Sequence, residues 1–360
     1  MTDKYQMDGH KLYWHLDRLK EWQDNMIVPP IYVEISPVSY CNHKCIFCGV
    51  DFAMQKNMQL DTETICKRLR EMGRSGVKGI MFAGEGEPIL HRDLPQMVSA
   101  AKDSGMDVSI STNGTSGNYN LWENILPHLT WIRFSVDAGT SEIYSKIHNV
   151  TGVFFDKTLK SIKEAVIIKK ENNLEVTIGV QFLIIEENLE DVRNAMDLYS
   201  SLGIDYIVLK PYSLHPQMLN KKDTIYTEYT INLLQEITSE YRDKKGSNMN
   251  IIFRDGALKR YKNSEKDFKH CNALPFWGYI TTKGDFYTCS VFIGDERFRA
   301  GNIYENGMEA IFGGGNRRKS IELGRNGLII EDECRVNCRM ARVNEFLEFL
   351  SNKPEHVNFI

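Results

Sequence analysis

Short runs of β-branched and apolar residues alternate with amphipathic stretches from Ile31 to about Leu209, and this alternation predicts repeated strand-helix units around a parallel sheet. The strand candidates are Tyr32 to Ile35, Gly79 to Phe82, Asp107 to Ser111, Trp131 to Ser135, Val176 to Phe182 and Tyr206 to Leu209. Between them, segments near Thr62 to Gly73, Leu94 to Ser104, Asn120 to Leu129, Asp156 to Lys170 and Leu189 to Leu202 carry apolar residues at i, i+3 or i+4, the helical spacing. Residues 31–215 therefore read as an open α/β barrel. After Pro211 the pattern changes to a long helix candidate, Thr224 to Arg242, then short strands around Asn250 to Phe253, Tyr279 to Thr282 and Asp285 to Thr288. We expect residues 216–260 to connect the barrel to a smaller α+β module over 261–345, with a tail over 346–360. Ahead of the barrel, residues 1–30 read as a helical extension, in which Tyr13, Trp14 and Trp22 at near-helical spacing predict a docked amphipathic helix.

Composition narrows the class. At 42% hydrophobic and 26% charged the chain is globular, and a net charge of −4 gives no polybasic surface of the kind a nucleic acid requires, leaving only a local basic patch open. No apolar run approaches the roughly 18 residues of a membrane span, and the first thirty residues hold no continuous apolar signal segment. Eight cysteines without an export signal predict a reducing, cytoplasmic setting, where clustered thiols mean metal more often than disulfide.

Those cysteines carry the chemistry. Cys41, Cys45 and Cys48, in the run Cys41-Asn42-His43-Lys44-Cys45-Ile46-Phe47-Cys48, are spaced for three corners of an iron-sulfur cube, which leaves the fourth iron free to bind a small molecule and pass it an electron. A structural zinc knuckle is the alternative, although zinc sites usually pair ligands as CxxC and need four. The run falls just after the first strand, at the carboxyl-end face where barrels of this kind carry their chemistry.

The CxxxCxΦC pattern, with Phe47 before its third cysteine, resembles the signature of the radical S-adenosylmethionine (SAM) superfamily, whose fold is a partial (β/α)6 TIM-like barrel. The resemblance implies that SAM chelates the open iron through its amino and carboxylate groups and is cleaved to methionine and a 5′-deoxyadenosyl radical. That radical then takes a hydrogen from substrate, the first electron coming from a flavodoxin or ferredoxin-type donor. Gly84-Glu85-Gly86-Glu87-Pro88 resembles the family's GGE-type motif for the methionine amine. Glu87 is the expected acid and Glu85 the alternative, because the run reads GEGEP. By the same resemblance Ser111, Thr112 and Asn113, ending the third strand, and Ser135 and Asp137, ending the fourth, would contact the ribose and methionine carboxylate; helix capping and turn formation are the alternative. Many relatives carry an arginine after the fourth strand for that carboxylate, where Tyr144 to His148 offers Lys146 and, in better register, His148. Otherwise His148 is a substrate group or a surface histidine.

Downstream, Gly284 to Cys289 forms a GxxxxC hairpin and Cys334 to Cys338 a CxxxC; with Cys271 and Gly301-Asn302-Ile303 they resemble the Twitch form of the SPASM extension. This implies one auxiliary [4Fe-4S] cluster closed by Cys271, Cys289, Cys334 and Cys338, making two clusters in all, with tetrahedral zinc as the rival occupant. Cys66 is left over and reads as a buried core thiol, or as the hydrogen-atom donor that some relatives use. A fully ligated second cluster moves one electron, which favours oxidation of a carbinol as in Twitch-type cyclitol dehydrogenases, with epimerisation and dehydration the redox-neutral outcomes. Gln181, Lys210, Tyr212 and Arg254, at strand ends, predict a pocket for a polyhydroxylated or phosphorylated small molecule: a sugar, aminocyclitol or sugar nucleotide. A peptide-modifying maturase is the second reading, weakened by the thirty residues ahead of the first strand. The GTP cyclase of molybdopterin synthesis is an architectural relative with three cysteines in its second set and a Gly-Gly tail, whereas this chain has four and ends Asn358-Phe359-Ile360. A non-catalytic zinc scaffold is the last alternative.

Overall fold

The computed structural model describes residues 11–54, 57–243, 248–263, 266 and 268–358. Expectations that fall on residues 1–10 and on Phe359 and Ile360 lie outside the described residues. Ten strands form one sheet: β1 (Tyr32–Ile35), β2 (Gly79–Phe82), β3 (Asp107–Thr112), β4 (Trp131–Ser135), β5 (Thr177–Ile184), β6 (Tyr206–Pro211), β7 (Asn250–Phe253), β8 (Trp277–Ile280), β9 (Asp285–Tyr287) and β10 (Arg299–Asn302). Their order is β10-β9-β8-β1-β2-β3-β4-β5-β6-β7. All six expected strands lie side by side, pair in parallel and are joined by helices, which gives the partial barrel.

Two strands sit differently from expectation. Asn250–Phe253 belongs to the barrel sheet and not to a connector: it pairs in parallel with β6, Tyr206 opposite Asn250, so the helix Glu228–Asp243 is simply the next crossover. At the other edge β8 pairs in parallel with β1, from Tyr32 opposite Trp277 to Ile35 opposite Ile280, and β9 and β10 follow antiparallel. The C-terminal module thus continues the barrel sheet through β1.

Strand alternation sets what each face meets. Val33, Ile35, Ile80, Phe82, Val108, Ile110, Ile132 and Phe134 are buried in the main apolar core. Their neighbours Tyr32, Met81, Trp131, Arg133 and Lys210 instead line an inner cavity. Cys66 is buried on the helix Thr62–Arg74, its thiol 3.8 Å from the Gln96 carbonyl, in the helical layer away from that cavity. This leaves it a core thiol and removes the hydrogen-donor alternative.

The N-terminal helix, Leu16–Asn25, docks through Leu19 and Trp22 against Val28, Phe276, Val343 and Leu347. Tyr13 and Trp14, expected on the same face, are 54% and 75% exposed because they occupy a separate 3-10 turn, Leu12–Trp14, before the helix begins. Beneath this layer lies the guanidinium of Arg317, fully buried, which donates to the carbonyls of Phe312, Val28 and Pro275, each at 2.8 Å. It ties the N-terminal segment to the C-terminal module. Arg317→Ala orphans three buried acceptors and is expected to cost about 3 kcal/mol, read as a lowered urea midpoint; a change under about 0.5 kcal/mol, the size of an ordinary surface substitution, would contradict this.

Candidate functional site

The first cysteine loop leaves the carboxyl end of β1 and is pinned by backbone bonds. Lys44 N donates to the His148 carbonyl at 3.1 Å, Ile46 N to that of Ile147 at 2.9 Å, and Glu87 N to that of Tyr40 at 3.0 Å. Gly86 permits this approach, since a Cβ there would meet the Tyr40 carbonyl oxygen at 2.2 Å. Phe47 is buried, its ring centroid 5.4 Å from that of His148. His43 N donates to Cys41 Sγ at 3.4 Å, and Asn113 Nδ2 lies 3.9 Å from the same sulfur.

Burial pushes all three thiols up, Cys41 to about 12, Cys48 to about 11 and Cys45 well above its usual value. For Cys45, charge on Cys48 and then Cys41 adds to burial. Thiolates gathered in this loop would need a cation, which iron would supply, so this donor set fits an iron-sulfur cluster. Among the described residues no three or more His, Cys, Asp or Glu side chains are drawn together as a single-ion site.

The acidic motif divides its work. Glu87 Oε1 accepts from Thr112 Oγ1 at 2.5 Å and Ile89 N at 3.2 Å, and Oε2 accepts from Asn113 N at 2.7 Å. Both oxygens of the expected amine ligand therefore brace β2 against β3. Glu85 Oε2 accepts from Thr282 Oγ1 at 2.7 Å, while its buried Oε1 has no partner. Burial lifts both carboxyls to about 7.

The strand ends likewise separate into facing and bracing groups. Ser111 Oγ lies 3.4 Å from Arg133 Nη2, and Ser135 Oγ 3.5 Å from Gln181 Nε2, so these alternate with the outward core residues. Asn113 braces the cysteine loop, its Nδ2 donating to Asn42 Oδ1 at 2.7 Å. Asp137 departs from the expected ribose contact. Fully buried and in the left-handed region at φ 58°, it accepts from Leu183 N at 2.7 Å and is raised to about 7 by burial. His148 departs too, being neither a surface group nor free to meet a carboxylate. Its Nε2 donates to the Val136 carbonyl at 2.7 Å, which leaves Nδ1 to accept from the Cys45 thiol at 3.0 Å, and burial holds the ring neutral, down to about 3.

The four downstream thiols act on one another electrostatically. The hydrogen bond between Cys334 and Cys338 holds the Cys338 thiol down and the Cys334 thiol up, and Cys271 is raised by burial and then by charge on Cys289 and Cys338. Asn344 Nδ2 donates to Cys271 at 3.7 Å and Met340 N to Cys338 at 3.3 Å. Four thiols in mutual electrostatic reach fit a metal group by their chemistry.

The inner cavity, about 470 Å³, is lined by Lys210, Tyr212 and Arg254, as expected at strand ends, and also by Cys338. Sequence reasoning missed Arg133, Arg260 and Arg335 on its wall. Arg133 was legible as the inward partner of Trp131 and Ser135 on β4, whereas Arg260 and Arg335 arrive by tertiary packing alone. Tyr212 lines the cavity without offering its hydroxyl, which donates to the Lys222 carbonyl and is held up to about 12 by burial. That corrects its expected role as a substrate-facing donor.

Glu85 yields a pH test on the metal-free protein. A carboxyl raised from 4.5 to about 7 by folding contributes stability below pH 4.5 that is lost as pH rises toward 7. The urea midpoint is expected to fall across that window and to fall less steeply in Glu85→Gln; identical slopes would contradict the assignment.

Residues 35–199 match the family model described as the radical SAM superfamily. A protein of Saccharolobus islandicus (strain M.14.25 / Kamchatka #1) named probable GTP 3′,8-cyclase is 30% identical over 190 residues, 52% of this chain and 58% of that protein. One of the same name from Metallosphaera sedula is 30% identical over 216 residues, 57% of this chain and 63% of that protein. The chain thus spans less than two thirds of the length of these curated relatives. Among solved structures, Streptococcus suis SuiB bound to S-adenosylmethionine has a TM-score of 0.66 at 18% identity over 87% of this chain and 72% of that one. The protein anSMEcpe with bound AdoMet has a TM-score of 0.59 at 17% identity over 88% of both chains. These two likenesses concern the fold. The cysteine loop lies inside the span that matches the radical SAM superfamily model, which covers residues 35–199, a little under half of the chain.

Proposed function

We propose that this chain is a radical SAM oxidoreductase that takes a hydrogen atom from a small polar substrate held in the barrel, a sugar, aminocyclitol or sugar nucleotide. When bound, SAM and the cluster on Cys41, Cys45 and Cys48 would supply the 5′-deoxyadenosyl radical that performs this abstraction. The observation that carries the reading is that Cys338, from the second thiol set, lines the same cavity as Lys210 and Arg254. A second [4Fe-4S] cluster on Cys271, Cys289, Cys334 and Cys338 would then stand beside the substrate. Loss of a proton and one electron from a carbinol-centred substrate radical would give a carbonyl, and a cluster on those four thiols would accept the electron.

The chain's own residues have definable parts. Glu87, Thr112 and Asn113 hold β2, β3 and the cysteine loop in register, His148 and Phe47 pack under that loop, and Ser111 and Ser135 present hydroxyls to the barrel interior. Glu85 Oε1 is the unengaged acceptor of the GEGEP run.

Peptide modification is the second reading, supported by SuiB bound to its precursor peptide SuiA, with a TM-score of 0.68 at 17% identity over 97% of this chain. Iron analysis and SAM turnover under anaerobic reduction test the common ground. Wild type is expected to hold about eight irons and the Cys41, Cys45, Cys48 triple alanine variant about four, with 5′-deoxyadenosine formed by wild type alone. Zinc at the second site would remove the electron acceptor, and zinc at both would overturn the enzyme reading. Deuterium transfer from labelled sugar nucleotides, set against labelled peptides, separates the two substrate classes.

A further inference from the structure

We propose that the inner cavity is an anion subsite, in which Arg133, Lys210, Arg260 and Arg335 grip a phosphate or diphosphate group of the substrate. This deepens the proposed function and rests on it for the cavity's role as the substrate site.

The charge on this wall is lopsided. Among the described residues, eight Lys and Arg side chains line a space of about 470 Å³ and no Asp or Glu does, in a chain whose net charge is −4. Acids at the margin are already committed: Glu34 pairs with Arg339, and Glu345 with Arg342 at 2.7 Å. The Asp137 charge acts on Lys210 against the repulsion of Arg133, Arg254 and Arg339, and burial first and then that repulsion hold the Lys210 ammonium well below its usual range.

Hydrogen bonding points the same way. The Nε–H groups of Arg133, Arg260 and Arg335 are buried with no acceptor, and each forfeits a bond to water unless a ligand replaces it. What the remaining nitrogens find is neutral: Arg133 Nη2 reaches Ser111 Oγ at 3.4 Å and Arg335 Nη1 reaches Ser213 Oγ at 2.8 Å. Among the described residues none of the four proposed groups makes an ion pair with a carboxylate.

The four arrive from separate elements, Arg133 from β4, Lys210 from β6, Arg260 from the helix Asp255–Asn263 and Arg335 from the CxxxC loop. Helical or strand periodicity alone would not assemble them. A lone carboxylate offers one charge and two acceptor atoms to this array, whereas a phosphoryl group offers up to two charges and three oxygens that suit forked guanidinium donors. The volume is that of a site for one small molecule.

The test is calorimetric titration of the reconstituted holoenzyme with inorganic pyrophosphate and with inorganic phosphate, on wild type, Arg133→Gln, Arg260→Gln and Arg260→Lys. Iron content verifies that each variant has folded. Pyrophosphate is expected to bind more tightly than phosphate, Arg260→Gln and Arg133→Gln to weaken it about tenfold, and Arg260→Lys to recover part of the loss. No binding of either anion to wild type, or equal binding by wild type and both glutamine variants, overturns the subsite. Formation of 5′-deoxyadenosine by the same preparations separates the two proposals: turnover without anion binding removes the subsite alone. Arginine-dependent binding without turnover supports the subsite and removes the radical reading.

Discussion

The parallel pairing of β1 with β8 is the constraint on which the rest of this molecule depends. The chain leaving β1 becomes the first cysteine loop, and the hairpin that begins with β8 ends at Cys289. Register Ile35 to Ile280 brings the carboxyl ends of both strands to one end of the sheet, where the first cysteine loop leaves β1 and from which β9 runs back antiparallel toward Cys289. It also satisfies the backbone groups that an exposed β1 would leave unpaired. Arg339 reinforces the junction by pairing with Glu34 of β1 and lying over the Trp277 ring of β8, centroid 5.5 Å away, which draws the CxxxC loop across the barrel opening.

Uncompensated charge is the second organising feature. The thiol loops would be anionic, and four cations on the wall of the inner cavity, Arg133, Lys210, Arg260 and Arg335, make no ion pair with a carboxylate among the described residues. Each arrangement costs free energy in isolation and is stabilised by a partner of opposite sign, iron in one case and an anionic group in the other. The two meet at Cys338, which belongs to a thiol set and lines the cavity.

Several residues that read as ligands serve as braces, for a shared physical reason. At the carboxyl end of a parallel strand the backbone N–H groups of the following turn lack a neighbouring strand, and nearby carboxylates accept from them. Glu87 does this for Asn113 and Ile89, and Asp137 does it for Leu183, which is still in β5 but lies past the last residue pair of β4 with β5, Ser135 opposite Gln181. Motif spacing marks the position of such an acid and is silent on which way it points. His148 shows the same limit, since its place in sequence matched a ligand while packing turned one nitrogen to Val136 and the other to Cys45.

What the sequence determined by itself was the six central strands, the helices between them, the placement of Cys41, Cys45 and Cys48 after β1, and the grouping of the remaining thiols. These are local signals: two-residue and 3.6-residue periodicity, and ligands spaced within one loop. Only the tertiary structure decided that Asn250–Phe253 extends the barrel and that β8 joins β1. It alone turned Glu87, Asp137 and His148 to bracing work and gathered Arg133, Lys210, Arg260 and Arg335 around one cavity. Those outcomes depend on contacts between elements distant in the chain, where strand register and side-chain direction are set by packing and not by neighbours in sequence.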